Sequence, residues 1–247
     1  MELKFSGVRA LILGGSCDMG LALAEAMMVS GLYPLLTYRN GKSRACIHDR
    51  LGPQGMPYGS LRLSLEERSG IDELDVYLSQ GVDYFVDMAQ GDLEGLVAAL
   101  DDQAVHEFFN ADIAGRASVL QKVARAMLAR RKGRLVYVSS TAAGRPNPGQ
   151  GVYAAAKLAA EALYRSLGLE LAGRGITTVT LRPGYVNAGR GRRYLEQNQR
   201  QALAGVPLGR PLTVQEVVDT IMFLLSDSAN GFNATVLTMD GGLSAAK

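Results

Sequence analysis

Ser140, Tyr153 and Lys157 stand thirteen and four residues apart along the chain. Positions four apart on a helix share a face, so a helical segment here puts Lys157 beside Tyr153. A free tyrosine titrates near 10, and a neighbouring ammonium lowers that value towards the working range. Such a tyrosine passes a proton to a carbonyl oxygen as hydride reaches the carbon, while a serine hydroxyl steadies the charge that develops on that oxygen. Lys157 also has the length to meet a ribose hydroxyl. Taken alone, Tyr-x-x-x-Lys is an ordinary surface pair worth about a few tenths of a kcal/mol. What makes the set specific is its conjunction with a glycine turn far upstream.

That turn is Leu13-Gly14-Gly15-Ser16-Cys17-Asp18-Met19-Gly20. It follows an apolar run and opens a helical pattern, the arrangement in which backbone N–H groups at a helix N-terminus receive a pyrophosphate. Gly14, Ser16, Cys17, Asp18, Met19 and Gly20 are therefore candidate cofactor residues. Asp18 favours the helix dipole but opposes a bound pyrophosphate; either its side chain turns to solvent or cofactor affinity falls, and Asp18→Gly is expected to tighten binding. After the second apolar run comes Thr37-Tyr38-Arg39-Asn40, with no acid for the ribose hydroxyls. Arg39, beside Tyr38, suits a 2′-phosphate instead, which points to NADPH.

The elements that must position these groups read as an alternation. Apolar runs at Val8–Leu13, Tyr33–Tyr38, Ser60–Leu63, Val82–Val86, Leu135–Ser139, Thr177–Leu181 and Thr235–Met239 are too uniformly apolar for half-exposed strands. Helical patterns lie between them at Met19–Val29, Lys42–Leu51, Gly70–Leu78, Ile113–Arg130, Val152–Leu171 and Val214–Leu225. Right-handed βαβ units follow, and with them a single-domain doubly wound α/β fold over residues 1–247. Ligands in such sheets sit beyond the carboxyl ends of the strands. The basic, glycine-rich stretch at about 189–206 has no strand neighbour and reads as a lid-like insertion.

Composition excludes other classes. The chain has 247 residues, 47% hydrophobic and 20% charged, with a formal net charge of +2. That is an ordinary globule with too little charge for nucleic acid by electrostatics alone, and no aromatic platform interleaves the basic run at Arg130–Arg134. Cys17 and Cys46 make neither a disulfide framework nor a metal site, and no metal is expected. The first residues carry no signal-peptide pattern, and Leu21–Leu36 is broken by Glu25, Ser30, Gly31 and Pro34. A cytoplasmic location without a membrane partner is the expectation.

With these residues on the page, the chain resembles the short-chain dehydrogenase/reductase family over essentially its whole length. Within it the likeness is greatest to β-ketoacyl-acyl-carrier-protein reductases. The supporting segments are Gly149-Gln150-Gly151-Val152-Tyr153-Ala154-Ala155-Ala156-Lys157, Arg182-Pro183-Gly184-Tyr185-Val186, Pro207-Leu208-Gly209-Arg210-Pro211, Leu224-Leu225-Ser226-Asp227 and Met239-Asp240-Gly241-Gly242. The resemblance implies a seven-stranded Rossmann-like sheet, a homotetramer, and contacts of Pro183, Gly184 and Val186 with the nicotinamide end. It also implies reduction of a 3-oxoacyl thioester on an acidic carrier protein, docked at Arg131 and Arg174 near the site entrance.

The departures from the family pattern are local. Leu13 replaces the turn's threonine and Asp18 its middle glycine. Ser64, beside Leu65, replaces the acid that holds the adenine. Asp87-Met88-Ala89-Gln90 replaces Asn-Asn-Ala-Gly, leaving Ala89 as the matching residue. Asp112 replaces the fourth catalytic residue, an asparagine; an ionised aspartate accepts but does not donate, so a water relay there needs rewiring. Two alternatives remain open at this point: a reductase of a free ketone or polyketide-type intermediate, and a non-catalytic or partner-dependent member with a degenerate nucleotide site.

Overall fold

The computed structural model describes residues 2–246. Seven parallel strands form one sheet in the order β3-β2-β1-β4-β5-β6-β7. They are β1 (Arg9–Leu13), β2 (Tyr33–Tyr38), β3 (Gly59–Arg62), β4 (Tyr84–Asp87), β5 (Gly133–Val138), β6 (Ile176–Pro183) and β7 (Thr235–Met239). The helices are α1 (Asp18–Val29), α2 (Gly41–Leu51), α3 (Leu74–Leu78), α4 (Asp102–Phe109), α5 (Arg116–Arg130), α6 (Gly151–Leu171), α7 (Gly189–Leu203) and α8 (Val214–Leu225).

Strand alternation sorts the core into two layers. Ile12, Val86 and Val136 face α1, α2 and α8, through Leu23, Ile47 and Ile221. Leu11, Phe85, Leu135 and Tyr137 face α3, α5 and α6, through Leu74, Val123 and Tyr164. Both faces are covered, so the central strands β1 and β4 and most of β5 are buried and largely apolar, as the sequence predicts. Among the described residues no helix is long and apolar enough to cross a membrane.

The chain runs outward from β1 to β3, then returns to β4 on β1's other side. The carboxyl ends of β1 and β4 therefore flank a switch point, where open α/β sheets bind ligands. Register places Leu13 opposite Asp87, and Asp87 opposite Tyr137, across that point.

Two helical expectations change. The pattern expected over Gly70–Leu78 is helical only from Leu74. Gly70 has φ +77°, and a Cβ there would lie 1.8 Å from the Arg62 carbonyl oxygen, so it makes a turn. The helix expected at Ile113–Arg130 instead starts at Asp102 and passes through one wide π turn, Asn110–Gly115, into α5. Ala111, Ala114 and Gly115 leave room for the bulge; a Cβ on Gly115 would stand 2.8 Å from the Leu65 carbonyl oxygen. The bulge directs Asp112 inward, where only 3% of it is exposed. Such π turns concentrate at functional sites.

A buried pair anchors α6, the helix that carries Tyr153 and Lys157. Glu161 accepts from Arg182 at 2.7 and 2.5 Å and from Ser139 Oγ at 2.5 Å, tying the helix to β6 and the end of β5. Glu161→Ala strands Arg182 and Ser139; since Arg182 keeps some water contact, we expect a loss of about 2–4 kcal/mol, read from urea unfolding.

Candidate functional site

The three chemistry-bearing residues converge at the carboxyl end of β5. Ser140 follows the strand in extended backbone, and its Oγ accepts from the Ala142 amide at 3.1 Å, which fixes the rotamer. Tyr153 lies in the first turn of α6, and Lys157 one turn on; both are buried. Lys157 Nζ donates to the Val138 carbonyl at 2.9 Å and sits 5.9 Å from the Tyr153 ring centre and 5.0 Å from that of Tyr137. Burial brings the Lys157 ammonium down to about 7.

Here one expectation is corrected. Burial pushes the Tyr153 hydroxyl above its ordinary value, and the leading opposing pull comes from Arg190, with Ser140 second, rather than from Lys157. Lys157 points its charge at a strand carbonyl. The Arg190 guanidinium lies 4.8 Å from the Tyr153 ring centre. Burial thus favours the protonated form of Tyr153.

Arg190 belongs to the expected lid. Residues 189–203 form α7, kinked at Asn198. Two clasps hold its first turn across the site. Arg190 Nη1 donates to Gly91 O at 3.4 Å and to Asp92 Oδ1 at 3.2 Å. Asp18 Oδ2 accepts from the Gly189 amide and from Arg192 Nη2, each at 3.2 Å. Asp18 is thus solvent-exposed, as one of the two expectations had it, and its charge is paired with the first turn of α7 rather than left bare at the nucleotide turn. No local rule predicts a contact between residues 171 apart in sequence.

A cleft of about 150 Å³ lies at the switch point. Of the expected cofactor residues, Gly14, Ser16, Cys17, Tyr38, Arg39, Leu65 and Ala89 line it, as does Asp112. Gly14 has φ +78°, and a Cβ there would sit 2.8 Å from the Ala89 amide nitrogen, so only glycine keeps this wall open. Cys17 caps α1 through a hydrogen bond from the Gly20 amide at 3.3 Å. Gly20 is buried against the Gly15 backbone, and Met19 packs on the core. Ser64 does not line the cleft. It is buried, with its Oγ accepting from the Glu67 amide at 3.2 Å, and Leu65 and Glu66 present the wall instead. Pro183 ends β6, Gly184 crosses close to Asp240, and Val186 is buried beside Leu212.

Sequence reasoning missed Glu66 and Gly91; it set Arg190 only among the basic residues of the lid-like stretch and noted Gln90 only as a departure from a family glycine. Gln90 had a usable signal, a long amide where the family pattern has glycine. Its Nε2 is buried in the cleft wall without a partner among the described residues. A buried donor with no acceptor, beside a glycine cradle, fits a polar ligand such as a dinucleotide.

Asp112 is not hydrogen-bonded to Ser140 or Tyr153. Its Oδ2 accepts from the Gly91 amide at 3.1 Å, and its Oδ1 and carbonyl accept from Arg116 at 2.8 and 2.9 Å. The two arginines expected to dock a carrier lie on one edge of the sheet. Arg131 and Arg174 are exposed neighbours, but they precede β5 and β6, at the amino edge of the sheet. The catalytic groups follow those strands, so in one chain this pair lies at the opposite end from the site entrance. The arginines beside the cleft are those of the lid.

A family profile described as enoyl-(acyl carrier protein) reductase matches residues 17–244. The chain belongs to the short-chain dehydrogenase/reductase family. It is 29% identical over 244 residues to the 3-oxoacyl-(acyl-carrier-protein) reductase FabG of Escherichia coli (strain K12), covering 98% of this chain and 99% of that one. It is 28% identical to the corresponding reductase MabA of Mycobacterium avium, covering 94% and 88%. Among solved structures it is similar to a gluconate 5-dehydrogenase from Burkholderia cenocepacia J2315 in complex with NADP and tartrate. That match has a TM-score of 0.90 and 26% identity, covering 99% and 98%. It is an oxidoreductase of this family on an all-parallel Rossmann-like sheet.

The lid clasp is open to test. With Asp18→Gly, backbone amides at Gly189–Arg193 should exchange with deuterium faster in the free protein; unchanged exchange would show that the clasp is not closed in solution.

Proposed function

We propose that this protein is an NADPH-dependent carbonyl reductase whose substrate is a 3-oxoacyl thioester on an acyl carrier protein. The observation that carries the reading is the convergence of Ser140 and a proton-bearing Tyr153 beside a cleft that ends at Arg39. The curated relatives that share nearly the whole chain are named as reductases of that substrate.

When bound, NADPH supplies the hydride. In this chain the turn from Gly14 to Cys17 would receive its pyrophosphate, Gln90 Nε2 would find its missing acceptor, and Lys157 would meet a ribose hydroxyl. Pro183 and Gly184 would back the nicotinamide end. Arg39 would take the 2′-phosphate. Its present partner, Glu66, is held at 3.4 Å with both side chains more than half exposed, so the pair is worth less than about 1 kcal/mol and yields to a dianion. Tyr153 donates its proton to the ketone oxygen, and Ser140 holds that oxygen as charge develops. Arg190 supplies a permanent positive charge above the tyrosine after the proton has left. An acidic carrier would meet Arg192 and Arg193 at the lid, and the protein would work as a homo-oligomer in the cytoplasm.

A second reading has one observation in its favour. Arg190 over Tyr153 also suits a free ketone bearing a carboxylate, and a structural neighbour is a gluconate 5-dehydrogenase seen with tartrate.

Oxidation of NADPH followed with a 3-oxoacyl thioester, and in parallel with a free keto acid, decides between them. Tyr153→Phe should cut turnover of the accepted substrate by about 10²–10⁴-fold. Turnover should also fall as pH rises through about 7, where Lys157 loses its proton. A rate independent of Tyr153 would refute the assignment.

Cofactor choice has its own check. Arg39→Ala should weaken NADPH binding by about ten- to a hundredfold and leave NADH binding unchanged, read by nicotinamide fluorescence. Equal loss for both would remove Arg39 from the 2′-phosphate.

A further inference from the structure

Behind Lys157 lies a closed set of buried charges. Asp87 and Asp112 are two carboxylates at 0% and 3% exposure, and Arg116, at 1%, lies between them. Arg116 Nη1 pairs with Asp87 Oδ2, and Nη2 bonds Asp112 Oδ1 at 2.8 Å and the Ala89 carbonyl at 2.8 Å. Its Nε donates to the Asp112 carbonyl at 2.9 Å. Tyr164 closes the far side, donating to Asp87 Oδ2 at 2.9 Å. Asp87 Oδ1 accepts from the Ala89 amide, and Asp112 Oδ2 from the Gly91 amide, each at 3.1 Å. Both carboxylates are thus committed to Arg116 or to neighbouring hydrogen-bond donors.

Lys157 is the other buried cation in this region. It and Arg116 approach the same ring, with Lys157 Nζ at 5.0 Å and Arg116 Cζ at 5.3 Å from the Tyr137 centre. Yet Lys157 is bonded to a strand carbonyl and makes no ion pair among the described residues. Two buried carboxylates without a cation would be very costly and would take the nearest one available. A lysine ammonium locked to them could not serve Tyr153 or a ribose.

We infer that Arg116 is a positioning residue: by taking Asp87 and Asp112 as its own partners, it keeps the Lys157 ammonium uncommitted and available to the catalytic site. The guanidinium suits the task, since one planar group with five donors reaches both carboxylates, by one bond each, and two backbone carbonyls at once. The inference rests on the reading of Lys157 as the cation of the active site, and it explains how a family member tolerates aspartate at both positions. The charged and titratable groups that bear on Lys157 are Asp87 from β4, Tyr137 from β5, Asp112 and Arg116 from the π turn and α5, Tyr153 from its own helix, and Arg190 from the lid. Those acids raise its proton affinity; burial and the arginines lower it.

The test compares Arg116→Met with the triple variant Arg116→Met/Asp87→Asn/Asp112→Asn. Lys157 is titrated directly by NMR of 13Cε-labelled lysine in the substrate-free protein, its signal identified by loss in Lys157→Gln. In Arg116→Met the released carboxylates should capture Lys157 and raise its titration by about one to three pH units. Turnover at saturating NADPH should fall about tenfold or more. Neutralising both aspartates in the triple variant should reverse the titration shift and recover turnover. An unchanged Lys157 titration in Arg116→Met, or a triple variant shifted as far as the single one, overturns the inference. If Arg116→Met does not fold, Asp112→Asn serves: it keeps the Asp87–Arg116 pair and should lower the Lys157 titration, and no change or a rise overturns the inference. Since the titration needs no substrate, absence of turnover in the unaltered protein would refute the reductase reading and leave this test standing.

Discussion

Arg116 is the constraint on which the catalytic end of the molecule depends. A guanidinium at 1% exposure is tolerable only with its charge matched and its donors used. The matching ties β4, the π turn and α5 into one rigid unit through Asp87, Asp112 and the Ala89 carbonyl. It also fixes the loop after β4, because Ala89 and Gly91 are held by the same two carboxylates. That loop is one wall of the nucleotide cleft, and through Gly91 and Asp92 it receives the lid. The buried ion cluster, the cofactor cleft and the lid are therefore one mechanical system.

The first turn of α7 is a second tie on that system. Arg190 and Arg192 reach from the first turn of α7 to opposite walls of the cleft, so the lid joins the loop after β4 to the turn after β1. These pairs are partly exposed, with modest energy and sensitivity to salt. In this structure those pairs hold the first turn of α7 closed against both walls. While closed it places Arg190 over Tyr153. The tyrosine feels opposing influences: burial keeps its proton on, and the nearby cation eases the proton's departure.

Much of the site was legible because it lies in local patterns. Tyr153 and Lys157 share a helix face by spacing alone, and Ser140 follows a strand recognisable from its apolar run. The first glycine turn was readable from its place between strand and helix. Arg39 stood out because the position lacks an acid. Ser64 and Leu65 were separable only in three dimensions, since adjacent residues point opposite ways and one turn decides which faces the cleft. Arg131 and Arg174 were expected near the site entrance through the family resemblance alone. Their distance from the site entrance follows from which end of β5 and β6 they occupy.

The sequence by itself determined the alternation of strand and helix, the covered parallel sheet and the catalytic spacing, because periodicity and near-neighbour geometry are local properties. Only the tertiary structure decided what the unusual acids do. Asp18 reads as a liability for a phosphate site until Arg192 and the Gly189 amide reach it from far along the chain. Asp87 and Asp112 read as damage to the family pattern until Arg116 is found between them. A charge takes its meaning from the partners within a few ångströms, and those partners come from elements that only folding brings together.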